Sequence, residues 1–172
     1  MKNVVIVDDD LMLREYYASS FRVLGYEVIT YDCPTDIEQG SMDETDLIVV
    51  DLMMPKPVRW NNCKEENELL TGLYFCKHFR ESNSQVPIVL FSSLNIKSLI
   101  LHVSEEVKSL VNVVFLLKYN FEPMSFAQAC DEILRTGTAA GLNSTLGRKL
   151  ARSILMQPNI AGFGCDCKEF LK

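Results

Sequence analysis

Short apolar runs that stop on a polar residue punctuate this chain. Val4-Val5-Ile6-Val7 stops at Asp8, Leu47-Ile48-Val49-Val50 at Asp51, Ile88-Val89-Leu90-Phe91 at Ser92-Ser93, and Val113-Val114-Phe115-Leu116-Leu117 at Lys118. Four or five consecutive apolar residues predict strands buried on both faces, as in a parallel sheet. A further strand is predicted at 27–31. Between the strands the period changes to that of a helix. Leu13, Tyr17, Phe21 and Leu24 share one face, with Asp10 as N-cap and Gly25 as the stop. Pro34 opens a short segment over 33–40. A helix resumes near Leu69, with Leu73 and Cys76 inward. Ile96, Ile100, Val103, Val107 and Leu110 mark another. Pro123 begins the last, with Phe126, Cys130 and Ile133 inward.

Alternating strands and helices predict an α/β fold, a doubly wound five-stranded parallel sheet with flanking helices and right-handed crossovers. Ligands of such sheets sit beyond the carboxyl ends of the strands, where all the polar residues just named fall. Known flavodoxin-like folds order their strands 2-1-3-4-5, which places Asp8 and Asp9 beside Asp51. Carboxylates ~4 Å apart repel by about 4 kcal/mol at an effective dielectric near 20. A divalent cation relieves that cost, and an oxygen-only set favours Mg²⁺. Without metal, one carboxylate is expected to titrate high. A carboxylate is also a nucleophile toward phosphorus. Mg²⁺, the Lys118 ammonium and the Ser92 hydroxyl could then each cover one oxygen of the transferring group.

Composition narrows the picture. The 172 residues are 48% hydrophobic, enough to bury a core and too many for a disordered chain. No apolar run approaches the ~18 residues of a membrane span, so a cytoplasmic protein is expected. The net charge is −6. The first 142 residues are acidic and the last thirty basic, which argues against a direct nucleic-acid footprint on the body. Cys76 and Cys130 read as small buried hydrophobes. Cys165 and Cys167 lack a second pair at zinc-site spacing.

The motifs Val-Asp-Asp-Asp at 7–10, Val-Asp-Leu-Met-Met-Pro at 50–55, Val-Pro-Ile-Val-Leu-Phe-Ser-Ser at 86–93 and Phe-Leu-Leu-Lys at 115–118 resemble those of the receiver domain of two-component response regulators, the CheY-like superfamily. The resemblance covers roughly residues 1–137. It implies Asp51 as phosphoacceptor and Mg²⁺ held by Asp8, Asp9, Asp51 and the Met53 backbone carbonyl. It further implies Lys118 and Ser92 as catalytic partners, with Ser92 and Phe115 as the switch pair. A sensor histidine kinase or histidine phosphotransfer protein would donate the phosphoryl group. A downstream protein would read the switched surface, and a homodimer is allowed. Such a chain is a signalling phosphoacceptor that catalyses only its own phosphorylation and dephosphorylation.

Departures from the pattern are equally visible. The family glycine expected about eight residues after the phosphoacceptor corresponds to Gly72, so an insertion occupies about 56–71. Its Trp60 is a candidate to cap the site or meet a partner, against the alternative of a disordered surface loop. Lys118 precedes Tyr119 where the family has a cis proline. The stretch from Ser92 to Lys118 is a few residues longer than the family pattern, which predicts an unusual output face. Met53 and Leu94, the positions that tune hydrolysis in the family, offer no base to orient water, so slow loss of the phosphoryl group is expected. Residues 138–172 form an extension whose Leu146, Leu150 and Ile154 predict a helix, capped at Asn143 or Ser144 and packed on the receiver or a second protomer. Two other readings remain. One is a pseudo-receiver scaffold independent of phosphorylation. The other is a haloacid-dehalogenase-type phosphatase using Asp8, Asp10, Ser92 and Lys118; it leaves Asp51-Leu-Met-Met-Pro unexplained and needs an acidic pair after Lys118, where Asp131-Glu132 falls inside a predicted helix.

Overall fold

The structure, a computed structural model, describes residues 2–37, 44–60, 70–82 and 86–136. Its elements run β1 (Asn3–Val7), α1 (Leu11–Val23), β2 (Glu27–Tyr31), α2 (Pro34–Ile37), β3 (Leu47–Asp51), α3 (Thr71–Ser82), β4 (Ile88–Ser92), α4 (Lys97–Lys108), β5 (Val113–Leu117) and α5 (Pro123–Thr136). Single 3₁₀ turns occupy Val58–Trp60 and Lys118–Asn120. All pairings are parallel and the strand order is β2-β1-β3-β4-β5. This is the doubly wound sheet expected from the alternation of runs.

Side chains alternate across the sheet and feed two cores. Val5, Val7, Ile48, Val50, Ile88, Leu90, Val113, Phe115 and Leu117 face the side of α3 and α4. Val4, Ile6, Leu47, Val49, Val89, Phe91 and Leu116 face α1 and α5. That second core is aromatic: Tyr17 meets Phe91 and Phe126 edge-on, while Phe91 and Phe126 stack at 3.9 Å.

Helix boundaries follow the capping residues. Asp10 accepts the Met12 and Leu13 N–H groups, and Gly25 leaves α1 at φ +85°. Boundary positions depart from the predicted faces. Leu24 and Ile96 are exposed, Leu24 as the C-cap of α1 and Ile96 as the N-cap of α4. Neither lies inside the helix that its spacing suggested. The start expected near Leu69 lies outside the described residues, and α3 is described from Thr71.

Trp60 differs from both expectations for it. It is buried in the core and meets Tyr74 of α3 edge-on at 4.8 Å. Leu52 and Met54, and Trp60 after them, carry the chain from β3 along the α3 side of the sheet as core residues. The extension over 138–172, with Cys165, Cys167 and the predicted helix, lies outside the described residues. No helix among the described residues is long and apolar enough to cross a membrane.

Candidate functional site

Sheet register assembles the site. Val7 pairs with Val50, Asp51 with Phe91, and Ser92 with Leu117. The next residue on β1 is Asp8, and the next after β5 is Lys118. All four polar groups therefore reach the same sheet end, and Asp8, Asp51, Ser92 and Lys118 are all buried.

Lys118 holds the centre. Its ammonium lies 2.7 Å from Asp8 Oδ2 and 2.6 Å from Asp51 Oδ1, over the Phe91 ring. The second oxygen of each carboxylate takes a backbone donor. Asp10 N–H donates to Asp8 Oδ1 at 2.9 Å, and Met53 N–H to Asp51 Oδ2 at 2.9 Å. One buried cation thus serves two buried anions, leaving a net negative charge. Burial raises the Asp51 pKa above the ordinary carboxylate value, and the neighbouring Asp8 adds to it. Lys118 and the Met53 amide only partly oppose the rise. Burial alone would lower the Lys118 pKa. The two carboxylates together overcome that, and it lies above the ordinary lysine value.

The other expected residues take distinct places. Asp9 is exposed at the rim. Among the described residues no three His, Cys, Asp or Glu side chains gather as a ready cation cage. Met53 is partly exposed. Ser92 is fully buried, and its Oγ accepts the Leu94 N–H at 3.1 Å. Phe115 is 1% exposed and faces the α3 and α4 core. Every described peptide bond is trans, including that before Tyr119. Asp131 accepts the Tyr26 hydroxyl and pairs with Arg135, which also holds Glu132. The acidic pair of the phosphatase reading is engaged on α5 in these bonds.

Two contributors were harder to read from sequence. Gly72 lies against the end of β3, where an added Cβ would fall 2.0 Å from the Asp51 carbonyl oxygen. Its N–H donates to Leu52 O at 3.0 Å. Arg14, absent from the motif reading, donates through Nη1 to the Asp8 carbonyl at 2.5 Å. Its only sequence signal is a cation in the first turn of a helix, where the macrodipole disfavours it.

Comparison with known proteins places this geometry. Residues 4–106, more than half of the chain, match the profile of the response regulator receiver domain. The response regulator MprA of Mycobacterium ulcerans is 29% identical over 91 residues, 52% of this chain and 34% of that protein. The chain spans about a third of the length of the curated relatives it matches. The chemotaxis response regulator CheY4 of Vibrio cholerae superposes with a TM-score of 0.57 at 22% identity, over 77% of this chain and 98% of that one. TrrA of Thermotoga maritima, solved in complex with Mg(2+)-BeF, gives a TM-score of 0.57 at 18% identity, over 77% of this chain and 99% of that one. The chain belongs to the response regulator receiver domain family.

Proposed function

We propose that this receiver accepts a phosphoryl group on Asp51 from a phosphohistidine partner, a sensor histidine kinase or a histidine phosphotransfer protein. The observation that carries the reading is the single Lys118 ammonium shared by Asp8 and Asp51 at the sheet end. The donor set fits Mg²⁺: buried carboxylate oxygens carry charge that one lysine does not neutralise. Asp8, Asp9, Asp51 and the Met53 carbonyl would hold it. When bound, the metal supplies positive charge toward the phosphoryl oxygens.

The chain's own residues then have separate tasks. Asp51 attacks phosphorus, the P–N bond breaks, and the imidazole leaves with the electron pair. Lys118, already fixed at Asp51 Oδ1, remains beside a phosphoryl oxygen. Ser92 gives up the Leu94 amide and turns its hydroxyl toward the new group. Phe115 rotates into the space released, remodelling the α4–β5–α5 surface for a downstream protein. Driving the equilibrium from 1:99 to 99:1 needs about 5.5 kcal/mol of differential stabilisation. Exposed Leu11, Met12, Met53 and Tyr119 flank the site and favour a protein donor. The cytoplasm is the compartment this chemistry suits.

Acetyl phosphate or beryllofluoride with Mg²⁺ tests the reading by intact mass and fluorescence. A base-labile adduct on the wild type and none on Asp51→Asn is expected. Turnover of phosphate esters, or no response in either protein, overturns it.

A further inference from the structure

Asp8 is gripped on every side. Its N–H donates to Tyr31 O, its Oδ1 accepts the Asp10 amide, and its Oδ2 accepts Lys118. The remaining acceptor, its carbonyl, takes the Arg14 guanidinium at 2.5 Å. A charged donor at this distance forms a strong bond. It is also held at a cost. Arg14 lies in the first turn of α1, its N–H on the Asp10 carbonyl, and that turn carries no acid. The positive end of the helix dipole disfavours a cation there. Among the described residues, the buried Arg14 Nε has no hydrogen-bond partner. Such local conflicts concentrate where function sets the arrangement.

The consequence reaches the next residue through peptide planarity. The Asp8 carbonyl and the Asp9 nitrogen share one rigid plane. Fixing the carbonyl direction fixes where the Asp9 backbone leaves that plane. Asp9 is exposed, and no side-chain bond of its own is among those described for the site. We infer that Arg14 is a positioning residue: it orients the Asp8–Asp9 peptide so that the acidic pair is set for a divalent cation. The inference rests on the Mg²⁺-dependent reading above.

Positioning and simple electrostatics predict opposite signs. Arg14 is a cation near the acids, so removing its charge alone should tighten Mg²⁺ binding. Removing a positioning contact should weaken it. The experiment measures Mg²⁺ affinity of the full chain by calorimetry for wild type, Arg14→Met, Arg14→Lys and the remote control Arg22→Met. Thermal stability without metal and Asp9 amide exchange by NMR are measured alongside. Expected are about tenfold weaker Mg²⁺ binding in Arg14→Met, faster Asp9 amide exchange, and partial recovery in Arg14→Lys. The acetyl phosphate rate of Arg14→Met should return toward wild type at saturating Mg²⁺. Unchanged or tighter Mg²⁺ binding overturns the positioning role, as does a rate deficit that persists at saturation. Absence of Mg²⁺ binding by the wild type itself overturns the parent reading instead.

Discussion

Individual side chains show the balance of charge most directly. Asp8, Asp51 and Lys118 are all buried, and their charges sum to one excess negative. Asp51→Asn leaves the Asp8–Lys118 pair matched, so equilibrium denaturation should show unchanged or increased stability, by up to about 1 kcal/mol. Lys118→Met strands two buried carboxylates and should cost about 3–5 kcal/mol in the same measurement. Tyr26 makes a pH prediction. Burial first, and then its bond to the Asp131 carboxylate, hold its phenol well above the usual 10.0. The folded protein keeps a proton that the unfolded chain releases, so this contribution is complete below pH 10.0 and is lost as pH climbs beyond it. Tyr26→Phe should flatten that part of the alkaline stability curve. Asp8, Asp51, Ser92 and Lys118 were legible because each ends an apolar run. The Arg14 contact was not, because it depends on a side chain folding back over its own helix terminus.

Among the elements, the start of α3 is fitted tightly to the end of β3. Gly72 lets the start of α3 touch the Asp51 and Leu52 backbone, and those backbone atoms cannot swing aside. Gly72→Ala should destabilise by at least ~2 kcal/mol and slow phosphorylation from acetyl phosphate. Chemical denaturation and intact-mass kinetics check the two effects. Five strands and the major helices could be read from periodicity, since runs buried on both faces and one-sided stripes arise from different environments. Ends were less legible. Leu24 and Ile96 satisfy the spacing but occupy cap positions, where the helical register no longer points them inward. Trp60 stands in a polar insertion, and only the placement of Tyr74 on α3 reveals its burial.

For the whole molecule, the sheet divides an aromatic core beneath α1 and α5 from a second core beneath α3 and α4. Strand order required knowledge of known folds, because hydrophobic runs fix the existence of strands but not their neighbours. Once the order is set, register alone delivers the site. Trp60 is the sole tryptophan, and it lies in the same core cluster as Phe115. The rotation of Phe115 proposed for activation is expected to reach the indole through this shared cluster, which would give the molecule its own optical gauge. Emission should shift when beryllofluoride and Mg²⁺ are added and stay constant in Asp51→Asn. A titration of that signal would count activated molecules directly, without a label, a donor protein or a downstream partner.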